Sequence, residues 1–412
     1  MKVLYFHQHF NTPRGRVGIR SYQMAKALVS SGHSVTMVCG SYQGGDTGLT
    51  GQFSGGVREG QTEGIHVIEL DLGYSNRSNF WERTTKFLKF AIKSVGIALT
   101  RKADLVFATT TPLTAGIPGI VARWLLGRKF VFEVRDLWPE LPREMGVITN
   151  RWVLRAMGAL EWVSYRSAHR LVGLSPGIVD GIARRGVPRE RIAMIPNGCD
   201  LDLFGGEGVV PWRPEGVGEG ELMAVFTGTH GIANGLDAVL DAAAELKRRP
   251  TSGIRLVLIG DGRLKPELQE RAEREGLEAV LFLDPVPKTE LAGLLAAADL
   301  GLQILANVPA FYYGTSPNKF FDFLAAGLPV LNNYPGWLAD LIEENDCGFA
   351  VAPENPAAFA DALERASGDW EGLREKGKRA RALAEREFAR EKLFDRFYEG
   401  LFCEKQSHLA PC

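Results

Sequence analysis

The stretch Ser316-Pro317-Asn318-Lys319-Phe320-Phe321-Asp322 sets four polar side chains at a helix start, just ahead of an apolar run that ends in Val330-Leu331. Ser316 is a good N-cap and Pro317 a favoured first helical residue. Lys319 then adds a full positive charge to an end that already carries the positive pole of the helix dipole, which alone is unfavourable. A bound anion reverses that penalty. Lys319 would pair with a phosphate oxygen, while the amides opened by Ser316 and Asn318 donate hydrogen bonds. Asp322, one turn on, can accept hydrogen bonds from two vicinal ribose hydroxyls, so the set describes a nucleoside diphosphate. The competing reading is a surface Lys319–Asp322 pair at i,i+3, worth roughly 0.2–0.5 kcal/mol.

Other candidates lie just beyond predicted strands, where ligands bind in open parallel sheets. After Met223–Thr227 come Gly228, His230, Gly231 and Asn234; after Leu256–Ile259 come Gly260, Gly262 and Arg263; after the first strand come Gly15 and Gly18. Glycine loops at helix N-termini suit phosphate, and His230 is a further phosphate donor. Each glycine reads equally as a tight turn. No intact G-x-G-x-x-G follows a strand, which argues against a dinucleotide. Glu133, Arg135 and Asp136 close the strand Phe130–Val134. Arg135 and Asp136 read either as orienting a substrate or as an internal salt bridge bracing the Trp138-Pro139 turn. His7 and His9, at i,i+2 in a strand, point to opposite faces, which speaks against a metal. One of them reads as lining a cleft, the alternative being a structural histidine.

Short β-branched and aromatic runs alternate with helical stretches over almost the whole chain. Runs such as Leu256-Val-Leu-Ile259 are apolar on both faces, as strands of a covered parallel sheet are. This predicts an α/β chain of two Rossmann-like, doubly wound domains facing a central cleft. Residues 205–221, rich in glycine with Pro211 and Pro214, read as the linker. The expected domains are 1–205, for the acceptor, and 206–389, for the donor, with a final helix over 390–412 returning to the first. Residues 43–60 read as a mobile glycine-rich surface loop.

A hydrophobic share of 45% supports a large core, and 48 basic against 49 acidic residues make nucleic acid an unexpected partner. The five cysteines are scattered and odd in number, which fits a reducing cytosol and neither a disulfide framework nor a zinc site. No signal peptide and no spanning helix are expected. Residues 81–102 carry apolar residues at helical spacing, with Arg83, Lys86, Lys89, Lys93, Arg101 and Lys102 against Glu82. The segment reads as a peripheral membrane contact suited to a lipid-linked acceptor, or as a core-packed helix with a solvated face.

The run "SPNKFFDFLAAGLPVL" resembles the nucleotide-binding signature of retaining GT-B glycosyltransferases of family 4. It is most similar to the bacterial polysaccharide subgroup that uses UDP-aminosugars, such as fucosamine transferases. "RGRVGIRSYQMAKALVSSGHSVTMVCG", "RDLWPE", "VFTGTHGIANGLDAVLDA" and "VLIGDGRLKPELQE" agree in order, and the resemblance covers about residues 1–400. It implies transfer of a sugar from a UDP-sugar to a glycan or polyprenyl-linked acceptor in cell-surface polysaccharide synthesis. Configuration is retained, and no metal or other cofactor is required. The leaving diphosphate itself takes the acceptor's proton. The chain departs from the family pattern at Thr315, where a first glutamate is usual. It departs again near Thr229 and Asn234, where Arg and Lys are usual, and around Arg135-Asp136, where a histidine is usual. Lys319 then becomes the main diphosphate cation, helped by Gly231 and Arg263. The alternatives are a UDP-sugar epimerase of the same fold and a non-catalytic nucleotide-sugar-binding protein.

Overall fold

The computed structural model describes residues 1–15, 18–74, 80–206, 208–250 and 252–402. The chain forms two compact units, Met1–Pro196 with the segment from Phe394 onward, and Asn197–Leu393. The change of unit thus falls at Pro196-Asn197, not in the glycine-rich 205–221. Tertiary contacts explain the shift. Phe204 is fully buried in the second unit, and Trp212 donates from its N–H to Gly293 O (3.2 Å) and from Nε1 to Glu290 O (2.9 Å).

In the first unit eight strands, β1 (Lys2–Phe6), β2 (Ser34–Tyr42), β3 (Val57–Thr62), β4 (Ile65–Tyr74), β5 (Leu105–Thr109), β6 (Lys129–Val134), β7 (Arg170–Gly173) and β8 (Ile192–Met194), form one sheet. Their order is β3-β4-β2-β1-β5-β6-β7-β8. All pairs are parallel except β3 with β4. β3 corrects the loop expected over 43–60. Glu63 and Gly64, with φ of 47° and 84°, make a two-residue turn that folds Val57–Thr62 back on β4. The tell-tale Thr-Glu-Gly-Ile was present in the sequence.

In the second unit β9 (Leu222–Thr227), β10 (Ile254–Ile259), β11 (Val280–Leu283), β12 (Leu300–Gln303), β13 (Val330–Asn332) and β14 (Gly348–Ala350) lie in the order β11-β10-β9-β12-β13-β14, all parallel. Every residue of β9 is buried. Phe226, Leu256, Leu258 and Leu302 pack with Val239 and Leu240 of the helix Asp237–Lys247 in one core. Such side chains each contribute about 1.5–3 kcal/mol by leaving water.

Strand order reverses on either side of β1 in the first sheet and of β9 in the second. The carboxyl ends of β1 and β9 are therefore the places where helices diverge and leave a crevice. The last helix, Arg390–Phe402, belongs from Phe394 on to the first unit, where the Phe397 ring lies 5.5 Å from that of Phe107. Residues 403–412 of the expected final helix lie outside the described residues.

Candidate functional site

At the switch point of the second sheet, β9 ends in Thr227 and the chain turns at Gly228 with φ 140°. The loop runs through His230 and Gly231 to Asn234, and the helix Asn318–Ala325 presents its first turn to it. Lys319 Nζ lies 3.0 Å from Asn234 Oδ1 and 3.8 Å from the centroid of the Phe226 ring. Among the described residues no carboxylate pairs with it, and burial lowers the ammonium to about 7. Asn234 in turn donates from Nδ2 to Thr229 O at 2.6 Å, which ties loop and lysine into one unit. An amide oxygen and an aromatic face hold a cation in place without cancelling its charge.

No side chain caps the first turn of this helix. Ser316, expected as the N-cap, instead accepts from the Asn197 amide at 2.9 Å, and Pro317 takes the cap position. The reason is that Asn197 competes for the serine: its side-chain amide also donates to Ser316 O. Asn318 is exposed at the helix start. Thr315 is turned inward, its hydroxyl donating to Phe311 O at 3.0 Å.

The glycines divide by what holds them. Gly228 N–H is used by Ile259 O, Gly260 N–H by Leu283 O and Gly262 N–H by the Asp261 carboxylate. A Cβ on Gly260 would lie 1.8 Å from Gly228 O, and one on Gly262 2.4 Å from His230 O. These three glycines let two loops pack backbone to backbone, and their amides are not the open phosphate donors expected. Gly231 differs, since an added Cβ would meet only Thr229 Cγ2 at 3.5 Å. His230 is fully buried between the Phe226 and Phe282 rings, and both ring nitrogens lack a protein partner. Burial, with the Lys265 charge beside it, holds its pKa down to about 4, so the ring is neutral at pH 7. A buried, neutral imidazole without a partner invites a hydrogen bond from outside the protein. Arg263 is exposed beyond this loop.

Asp322 faces another partner than Lys319. Lys288 Nζ stands 3.6 Å from its carboxylate, which is buried and raised in pKa by that burial. The surface Lys319–Asp322 pair is therefore not made. Sequence reading missed Lys265, Lys288 and Asn197. Lys265 is the first residue of the helix Lys265–Glu275 and its Nζ bonds Gly260 O, Leu283 O and Asp284, bracing the His230 loop from below. Its signal was the same as that of Lys319, a lysine at a helix start.

The remaining expected residues sit in the first unit. Gly15 N–H bonds Thr12 O, and a Cβ there would lie 1.9 Å from Asn11 Oδ1, so this glycine serves a turn and not a phosphate cradle. Gly18 precedes the helix Arg20–Ser30; Arg16 and Val17 between them lie outside the described residues. Arg135 is turned inward rather than free for substrate. Its Nε donates to Thr109 (2.9 Å) and to Glu133 (3.2 Å), and its Nη2 to Ser21 (2.9 Å). Burial alone would raise Glu133, but Arg20 and Arg135 outweigh it and hold the carboxyl at about 2. Arg20 completes the network with Glu133 at 2.9 Å and with Ile195 O and Pro196 O. Asp136 remains half-buried beyond β6, accepting from Thr111 Oγ1 at 3.3 Å, its pKa raised by burial. At the end of β1, His7 Nδ1, His9 Nε2 and both Gln8 amide atoms are buried without a protein partner. Gln8 was passed over in the sequence because glutamine carries no pattern.

Among the described residues no three His, Cys, Asp or Glu side chains gather as a metal-binding set, and no helix is long and apolar enough to cross a membrane.

Residues 17–198 match the model of the glycosyl transferase 4-like domain, and residues 221–369 that of glycosyl transferases group 1. D-inositol 3-phosphate glycosyltransferase of Nocardia farcinica is 33% identical over 207 residues, covering 48% of this chain and 45% of the relative. Probable glycosyltransferase WbjE of Pseudomonas aeruginosa is 25% identical over 287 residues, 67% of this chain and 68% of the relative. The chain spans about half the length of the first two curated relatives it matches. Among solved structures, Anabaena Alr3699/HepE in complex with UDP superposes with a TM-score of 0.68 at 19% identity, over 97% of this chain and 99% of that one. WaaG, a glycosyltransferase involved in lipopolysaccharide biosynthesis, gives 0.68 at 17% identity over 98% and 100%. These likenesses establish the fold, and the two domain models together cover well over half the sequence. The chain belongs to the glycosyltransferases of GT-B fold, with a glycosyl transferase 4-like domain followed by a group 1 domain.

Proposed function

We propose that the protein is a retaining glycosyltransferase that takes a sugar, an N-acetylated aminosugar in the reading favoured by sequence, from a UDP-sugar. It passes the sugar to a hydroxyl of a lipid-linked or other glycan acceptor in cell-surface polysaccharide synthesis. The observation that carries this is Lys319: an ammonium fixed by Asn234 over the Phe226 ring, with no carboxylate partner among the described residues, at an uncapped helix start. Such a cation gains a partner when a diphosphate binds, and stabilises the charge that grows as the glycosidic bond breaks. His230 donates one N–H to the same group, and Asp322 with Lys288 receives the ribose.

The reaction breaks the bond between the anomeric carbon and the diphosphate oxygen and forms one from that carbon to the acceptor oxygen. The acceptor's proton passes to the leaving phosphate, so no side-chain base and no metal is needed in this scheme. Acceptor recognition is assigned to the first unit, around Asp136 and the His7, Gln8 and His9 side chains at the end of β1, each with a buried polar atom that lacks a protein partner. UDP release from UDP-N-acetylglucosamine and related donors, with polyprenyl-linked glycans as acceptors, tests the reading. Acceptor-dependent release with an unchanged anomer in the product is expected; binding without turnover for every donor and acceptor pair would overturn transfer. Contact with a membrane through residues 81–102 belongs to the same proposal.

A further inference from the structure

Three helices lie side by side on one face of the first sheet: Phe80–Thr100, Ile117–Leu126 in the middle, and Arg151–Ser167. The first runs for 21 residues, about 30 Å. Its exposed apolar residues are Trp81, Leu88, Ile92 and Leu99, which at about 100° per residue fall on one stripe roughly 40° wide. Trp81 is 77% and Ile92 72% exposed. A helix that merely packed its apolar face on the sheet would leave its outer stripe polar.

The neighbouring helices also expose large apolar residues. Trp124, Leu125 and Leu126 are exposed at the end of the middle helix, and Trp124 Nε1 donates to Ser167 Oγ of the third helix at 2.8 Å. That bond satisfies the indole N–H and fixes the ring with most of its surface in water. On the third helix Trp152 and Trp162 are exposed, and the guanidinium carbons of Arg155 and Arg151 lie 5.1 and 5.6 Å from the Trp152 ring centre.

Charge decides what covers this face. Lys89, Arg123 and Arg166 are exposed beside the apolar residues, whereas the acids on the three helices are Glu82 and Glu161. Glu161 is buried and paired with Arg185 at 2.7 Å. A second copy of this chain would set the same cations against each other. Tryptophans flanked by arginine, over a broad cationic surface, match the interface of an anionic bilayer.

We propose that these three helices form one docking face for the surface of an anionic membrane. The proposal extends the contact suggested for residues 81–102 to the helices Ile117–Leu126 and Arg151–Ser167, and rests on that reading only in its choice of a bilayer. The face seats tryptophan rings at headgroup depth while the lysines and arginines meet lipid phosphates, and no segment crosses the membrane.

Co-sedimentation of the full chain with phosphatidylglycerol-containing vesicles and with neutral phosphatidylcholine vesicles tests it. Binding to the anionic vesicles alone, weakening with salt, is expected. Trp124→Ser/Leu125→Ser, outside 81–102, and Lys89→Glu/Arg166→Glu should each lower it by roughly tenfold or more. UDP-induced thermal stabilisation, unchanged in both variants, shows that they fold. Variants that bind like the wild type, equal binding to neutral vesicles, or self-association that Trp124→Ser/Leu125→Ser abolishes would each overturn the docking face. Vesicle binding in a chain that ignores UDP would instead overturn the donor reading alone.

Discussion

Titration of Lys319 probes the proposed diphosphate site from inside. Burial without a carboxylate brings its ammonium to about 7, because the charged form has lost water and gained only an amide oxygen and a ring face. A diphosphate restores that charge, so UDP binds the protonated form. Below pH 7 the ammonium is already charged and its contribution to affinity is complete. As pH rises through 7 the free protein loses the proton, and UDP affinity falls by up to roughly tenfold per pH unit. The fall stops when it has removed what the charged contact supplies, about 1.5–3 kcal/mol or roughly 10- to 150-fold. Calorimetric titration of UDP from mildly acid to alkaline pH, in buffers of differing ionisation enthalpy, reads affinity and proton uptake together. Lys319→Ala should hold the alkaline plateau affinity at every pH, and Lys319→Arg, charged throughout, should show no alkaline fall. A flat wild-type profile, or a fall that Lys319→Arg shares, would refute the placement of the diphosphate at this helix.

Asp322→Ala should weaken UDP by roughly tenfold while leaving inorganic pyrophosphate untouched, since only the nucleotide offers ribose hydroxyls; equal losses for the two ligands would remove Asp322 from the ribose. Glu133→Gln should cost about 3–5 kcal/mol in denaturant unfolding at neutral pH, because it leaves the buried Arg20 and the part-buried Arg135 beside a neutral amide. The wild-type carboxyl, held at about 2 against an ordinary 4.5, contributes stability that is complete above about pH 4.5 and is lost as pH falls through 2. The variant should lack that acid-dependent share, and parallel acid profiles for the two proteins would contradict the network.

Much of the second unit is legible in the sequence because its strands are buried on both faces. Burial of that kind writes itself as a continuous apolar run, as in β9 and β10, whatever the partners are. β3 escaped because it is an edge strand, half exposed and antiparallel, so its residues Val57 to Thr62 carry no such run. The unit boundary escaped for the opposite reason. Glycine and proline mark irregular backbone, and 208–221 is irregular, but Phe204 and Trp212 anchor it on the second unit.

By itself the sequence determined the alternation of strands and helices, the glycine loops at strand ends and the misplaced charge of Lys319 at a helix start. Each of these is a local property, set by a residue and its near neighbours in the chain. Tertiary structure alone decided that Lys319 meets Asn234 and Phe226, that Arg135 turns in to Glu133, and that three glycine amides are already bonded. It decided too that three separate amphipathic segments lie on one face. A helix's pattern shows which stripe is apolar, but what covers that stripe, or whether anything does, depends on groups far away in the chain and is fixed only when the sheet brings them together.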